Sequence, residues 1–194
     1  INKPSGLAVH GGSGIAYGVI EALRVIRPAS AFLDLAHRLD RDTSGCLMIA
    51  KRRSTLRALH EAFRQGSVKK ECLALLHGQL PAGSTRVDVA LAAEPGKGGE
   101  RYMRVRSQGQ AARTDFTPLK TGKNATLVRA RIHTGRMHQI RVHAAHLGHP
   151  VVMDSRYGDG EADKVIRSAG CKRLFLHAER LAVELPEHGR IEIS

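Results

Sequence analysis

The sequence predicts an α+β fold: a mixed, largely antiparallel sheet with flanking helices and loops. Many short segments have strand-like apolar patterning, while only a few carry apolar residues at helical spacing between them. No internal repeat or low-complexity tract interrupts the pattern, and 194 residues suit one domain with a sizeable core.

In chain order, Val19, Ile20, Leu23 and Ile26 recur at helical spacing and Pro28 follows, which predicts a short helix ending near Arg27. Cys46–Ala50 reads as one buried strand. Ser54 is placed to cap a helix whose apolar face is Leu56, Leu59 and Phe63, with Gly66 as the left-handed residue that ends it. Val68–His77 follows as a strand. Residues 81–109 are turn-rich, most of all Glu94 to Gly99, around short strands near Val87–Leu91 and Tyr102–Arg106. Thr126, Val128, Ala130 and Ile132 alternate with Leu127, Arg129 and Arg131, so one strand face is packed and the other is basic. Met137, Ile140, Ala144 and Leu147 suit a helix stopped by Gly148 and Pro150, and Leu174–Ala178 and Arg180–Leu185 read as closing strands.

Charge narrows the partners. Lys and Arg number 31 against 18 Asp and Glu, a formal net charge of +13, and the excess is dispersed through mixed α and β patterning. That distribution favours a nucleic acid over a membrane surface. Apolar runs such as Cys46–Ala50 and Cys72–Leu76 fall far short of the ~18 residues that suggest a membrane span. The opening Ile1-Asn2-Lys3-Pro4-Ser5-Gly6 has no charged-then-apolar leader, so a cytoplasmic setting is expected. Cys46, Cys72 and Cys171 lie far apart with no Cys-x-x-Cys pair, which points to reduced thiols.

The chemistry-bearing segment is His37-Arg38-Leu39-Asp40-Arg41-Asp42-Thr43-Ser44-Gly45, two carboxylates among arginines directly before an apolar run. An adjacent guanidinium keeps a carboxylate ionised and suited to nucleophilic attack. The plainer reading is that Asp40 and Asp42 form surface ion pairs or cap a turn, and residue chemistry alone does not separate the two.

Resemblance separates them. His37–Lys51, HRLDRDTSGCLMIAK, resembles the signature of the RluA family of RNA pseudouridine synthases. The likeness extends to NKPSG at Asn2–Gly6, VHGGSG at 9–14, KECLALLHG at Lys70–Gly78, TGRMHQIRVH at Thr134–His143 and RLFLHA at Arg173–Ala178. Within the family, Gly18–Arg24, Arg41-Asp42 and Lys69–Gln79 are most similar to members acting on the ribosomal large subunit, which implies 23S ribosomal RNA as the partner. The resemblance implies the pseudouridine synthase catalytic fold over residues 1–194, an S4-like RNA-binding domain ahead of Ile1, a short extension beyond Ser194, and a monomer.

It also implies roles. Asp40 is the nucleophile, attacking the uracil ring or ribose C1′, and the isomerisation needs no cofactor and no metal. Arg136 pairs with the catalytic carboxylate, or else contacts phosphate. Arg38 fills the gap left by the flipped base, as a planar cation can. Cys72, His138, Ile140 and Leu176 stand at substrate-pocket positions. Lys70, Arg129, Arg131 and Arg141 are expected on the phosphate-facing surface, where the aggregate of charge matters more than any one residue.

One position departs from the family. Where members read Tyr-x-Ala-x-Val-x-Gly, with a Tyr stacking on the target base, this chain has Cys72-Leu73-Ala74-Leu75-Leu76-His77-Gly78. A thiol has no π face, so either Tyr102 or Tyr157 substitutes, or the chain is a weak or inactive RNA-binding module. A reader of single strands built on clustered aromatics fits poorly, with only 3 Tyr, 4 Phe and 0 Trp. His133, His138, His143, His146 and His149 crowd together, but polar pairing explains them more simply than zinc, since helical rotation displaces His138 from the face of His143 and His146.

Overall fold

The computed structural model describes residues 1–12, 14, 16–96 and 101–194. Backbone contacts divide the chain into two compact units, Ile1–Lys70 with His177–Ser194, and Glu71–Leu176.

The first unit holds β1 (Asn2–Lys3), α1 (Val19–Ile26), β2 (Asp34–Leu35), β3 (Ser44–Cys46), β4 (Ile49–Ala50) and α2 (Arg53–Arg64), and is completed by β11 (Leu176–Leu185) and β12 (Gly189–Ile193). β1 lies antiparallel to β3, β3 runs parallel to β11, and β11 is antiparallel to β12. Gly45 sits at φ 112°, and a Cβ there would lie 2.2 Å from the carbonyl oxygen of Ala178. Any side chain would force β3 and β11 apart. The expected single strand Cys46–Ala50 is two: the chain leaves β1 and β11 after Cys46 and turns so that Ile49 and Ala50 pair with Leu35 and Asp34 of β2. Both pieces are apolar because both are covered, so hydropathy alone does not reveal the break.

Helix α2 starts at Arg53 with Arg52 as its N-cap and no side-chain capping bond, so the expected Ser54 cap is corrected: Ser54 already lies inside the first turn. Its Leu59 and Ala62 pack with Ala36, Cys46, Met48, Val68, Leu181, Val183 and Leu185. Helix α1 seats Val19 and Leu23 against Val9, Leu39 and Leu47. The expected closing strands 174–178 and 180–185 are one strand, β11, which starts two residues later at Leu176 and runs through Glu179 without a break.

In the second unit an antiparallel sheet runs β5 (Lys69–His77), β10 (Ala125–Ile132), β9 (Arg113–Thr121), β6 (Thr85–Asp88). Thr126, Val128 and Ala130 are fully buried and Arg131 is exposed, as their alternation predicts. Strand β9 is an element that residue spacing does not predict. Its register shifts opposite Leu127 and Val128, which pair with Lys120 and Pro118 and skip Leu119, so the irregularity falls beside the residue that lacks an N–H. Pro118 and the exposed residues at its C-terminal half hide the period of two. β7 (Leu91–Pro95) and β8 (Arg101–Val105) form a separate antiparallel pair. The expected strand Val87–Leu91 therefore breaks between β6 and β7, and Lys97 to Gly99 of the expected flexible turn lie outside the described residues, as does Ser13 of the VHGGSG segment.

Helix α3 (Gln139–His146) begins later than Met137, and Gln139 to Ala144 are all buried, polar residues included. Apolar spacing therefore understates how central it is. Helix α4 (Gly160–Ser168), also unforeseen, is capped by Asp159, whose carboxylate accepts the N–H groups of Glu161 and Ala162. No helix among the described residues is long and apolar enough to cross a membrane.

Candidate active site

Asp40 lies in the loop between β2 and β3, half-buried, in a tight turn closed by the Thr43 N–H on the Asp40 carbonyl at 3.1 Å. The N-terminal segment clamps this turn. Lys3 is fully buried, and its ammonium donates to the carbonyls of Pro4, Leu7 and Arg41 at 2.7–2.8 Å. The Gly6 N–H reaches the same Arg41 carbonyl and the Ser5 hydroxyl donates to the Asp42 carbonyl at 2.6 Å. Burial pushes the Lys3 ammonium down to about 8, while the carboxylates of Asp42 and Asp40 pull the other way. Three carbonyl acceptors match the three donors of an ammonium. The segment NKPSG is thus the scaffold of the Asp40 turn, a relation the spacing of the two motifs does not display.

The flanking groups are unequal. Arg38 is exposed. The Asp42 carboxylate meets the Arg41 Nε at 3.3 Å, an exposed pair of neighbours. His37 accepts the Met48 N–H on Nε2 and packs on Phe63, and burial lowers its pKa to about 4. It remains neutral near pH 7 and serves the architecture of the loop.

In the second unit, Arg136 lies between β10 and α3. Its Nε donates to the Ala111 carbonyl at 3.0 Å and its backbone N–H to the side-chain oxygen of Gln139. Gln139, 3% exposed, also accepts the Thr134 hydroxyl and donates to the Arg113 carbonyl and Thr114 hydroxyl. This one amide fastens the arginine loop to β9. Sequence reasoning did not single it out; a glutamine immediately before an apolar helical run was the available signal. Ile140 is buried at the start of α3.

Several expectations change with the geometry. Arg141 does not face phosphate: it is buried, and both arms of its guanidinium grip Asp154, Nε to Oδ2 at 2.7 Å and Nη2 to Oδ1 at 2.8 Å. An arginine so enclosed has no surface to offer an RNA backbone. Burial alone would push the Asp154 carboxyl up, but the Arg141 contacts, with the N–H groups of Arg156 and Tyr157, outweigh it and hold the carboxyl below the usual range. Arg129 lies 3.8 Å from Glu71, Lys70 sits over the Phe63 ring, and Arg131 is exposed.

Cys72 is buried on β5, opposite Ala130, which is itself opposite Phe116 of β9. Leu176 is buried at the start of β11. The two tyrosines considered as substitutes pack on each other edge-on at 6.0 Å, and the Tyr157 hydroxyl is held by His138 at 2.7 Å and the Met103 N–H at 3.0 Å. A phenol anchored twice is not poised to swing. Four of the five crowded histidines have ordinary polar partners: His133 with Asp115, His138 with Tyr157, His143 with Thr114 and the Val89 carbonyl, His149 with the His77 carbonyl. Among the described residues no group of three or more candidate ligands is arranged to hold a metal ion.

With this geometry in view, comparison defines the class. Residues 1–146 match the model of the family described as RNA pseudouridylate synthase, and the chain belongs to that family. Among curated proteins it is 51% identical over 189 residues to ribosomal large subunit pseudouridine synthase C of Haemophilus influenzae, covering 97% of this chain and 59% of that protein. The protein of the same name from Escherichia coli K12 is 49% identical over 193 residues, covering 98% of this chain and 60% of its own length. The chain thus spans about three fifths of these relatives. Among solved structures it superposes on human RNA pseudouridylate synthase domain containing 1 with a TM-score of 0.81 at 28% identity, covering 99% of this chain and 76% of that one. Human RNA pseudouridylate synthase domain containing 4 gives 0.77 at 25% identity, covering 99% and 82%.

Proposed function

We propose that this chain is the catalytic domain of a pseudouridine synthase that isomerises uridines of 23S ribosomal RNA in the cytoplasm, acting as a monomer without cofactor. The observation that carries the reading is the Asp40 turn, whose backbone is clamped by the buried Lys3 ammonium, Ser5 and Gly6. A nucleophile must be held still, and a rigid turn presenting one half-buried carboxylate does so. After the target nucleotide leaves the stack, at a cost of a few kcal/mol, an Asp40 oxygen attacks the uracil ring or ribose C1′. The N1–C1′ bond breaks, C5 bonds to C1′, the bond to the Asp40 oxygen breaks to restore the carboxylate, and C5 loses a proton while N1 gains one. Nothing is oxidised or consumed.

Arg136 is assigned to orient and charge-stabilise Asp40, Arg38 to occupy the vacated base position, and His138, Ile140 and Leu176 to line the pocket. Lys70, Arg129 and Arg131 supply phosphate contacts. The test is tritium release from 23S ribosomal RNA labelled at uridine C5, followed by mapping of the products. Release at discrete uridines is expected. RNA binding without release would favour the module without catalysis, which the buried thiol at Cys72 recommends as the second reading.

Two substitutions divide the roles. Arg136→Met is expected to damage turnover more than binding, whereas Arg131→Met weakens binding and flattens the dependence on salt by about 0.7–0.9 in logarithmic slope. Identical behaviour of the two variants would overturn the division. Cys72→Tyr is expected to raise kcat/KM roughly five- to a hundredfold, by adding a stacking surface that contributes about 1–3 kcal/mol. The ring would lie beside Ala130, a small neighbour, although Phe116 is next in the row. A lower Tm would reveal overpacking. An unchanged Tm with no gain in kcat/KM would mean that no stacking surface is lacking.

A further inference from the structure

His138 is one of two non-glycine residues with positive φ among the described residues, at φ 53° and ψ 20°. A histidine pays a conformational penalty there, and such strain persists only where the surroundings over-determine it. The surroundings are specific. His138 is two residues from Arg136 and immediately precedes Gln139, so its left-handed conformation makes the corner between the arginine loop and α3. Its Nδ1 lies 2.7 Å from the Tyr157 hydroxyl.

The hydroxyl accepts the Met103 N–H at 3.0 Å and shares its second hydrogen bond with His138 Nδ1. Tyr157 is itself set by the buried ion pair: its N–H donates to Asp154 Oδ1 at 3.1 Å, and the Arg141 guanidinium lies over its ring at 5.2 Å. Arg141 belongs to α3, one turn beyond His138, so the restraint closes on itself from helix to loop to helix. Burial raises the Tyr157 pKa, against the pull of the Met103 N–H and nearby arginines, so the phenol keeps its proton at neutral pH.

We propose that Tyr157 is a positioning residue for the isomerisation. Its hydroxyl pins His138 in the left-handed corner, and the corner sets where Arg136 stands. The Arg141–Asp154 pair holds the tyrosine in place. This rests on the assignment of Arg136 to the reaction, and it gives Tyr157 work that a stacking platform would not share.

The test is a cycle of Tyr157→Phe and His138→Gly, assayed for tritium release under single- and multiple-turnover conditions. Tyr157→Phe keeps the ring and removes the anchor, so kcat is expected to fall about ten- to a hundredfold with little change in KM. Glycine adopts positive φ without strain, so in the His138→Gly background the same Tyr157→Phe change is expected to cost at most about threefold. Independent effects of the two substitutions would overturn the proposal, as would a loss confined to Tm or to KM. Unmodified protein that releases no tritium would instead overturn the synthase assignment itself, which keeps the two failures apart.

Discussion

Asp40→Asn is expected to abolish pseudouridine formation while leaving the fold and RNA affinity nearly intact. Amide and carboxylate have nearly the same size, and the bond closing the turn uses the Asp40 carbonyl, which the substitution preserves. Removing a covalent nucleophile can cost on the order of a millionfold in turnover. Asp42→Asn is the control. That carboxylate makes an exposed contact with the neighbouring Arg41 at 3.3 Å, and such pairs contribute at most about 1 kcal/mol. Tritium release measured beside RNA binding and thermal melting distinguishes the outcomes. An Asp40→Asn protein retaining a tenth of the activity would remove Asp40 from its role.

The second large effect falls on stability. Asp154→Ala is expected to destabilise the protein by about 3–5 kcal/mol, because it removes the carboxylate that both arms of the buried Arg141 guanidinium grip. For a protein of this size that lowers Tm by roughly 10 °C. Replacing both residues, Arg141→Met with Asp154→Leu, should recover only part of the loss. An apolar pair removes the buried charge, but Asp154 Oδ1 also accepts the Arg156 and Tyr157 N–H groups. Each donor left unmet costs about 1–3 kcal/mol. Calorimetry on the single and double variants measures the difference, and a single-variant loss below about 1 kcal/mol would mean that the pair is not holding this region together.

The position of α1, the end of α2 at Gly66 and the packed and basic faces of β10 were all legible from residue spacing. Each depends on a local rule: helical periodicity, a left-handed glycine, strand alternation. The failures share a cause as well. β9 is disguised by Pro118 at an irregular register, and α3 is buried from Gln139 to Ala144 with Gln139, Arg141 and His143 included, whose polar character suggests a surface. Those residues are buried because Thr114, Asp154 and the Val89 carbonyl satisfy them, and such pairing across tens of residues leaves no trace in periodicity.

By itself the sequence determined the α+β class, the polyanion-seeking charge and, through HRLDRDTSG, the place of Asp40 as the residue to examine. These follow from composition and from contiguous residues. Only the tertiary structure decided that Lys3 is the buried clamp of the Asp40 turn, that Gln139 fastens the arginine loop, that the Tyr157 hydroxyl meets His138, and that Arg141 is an internal strut. The physical reason is that hydrogen-bond satisfaction is a property of neighbours in space: a lysine, glutamine or arginine has the same chemistry in every sequence, and what surrounds its donors decides whether it meets solvent, substrate or the protein's own carbonyls and carboxylates.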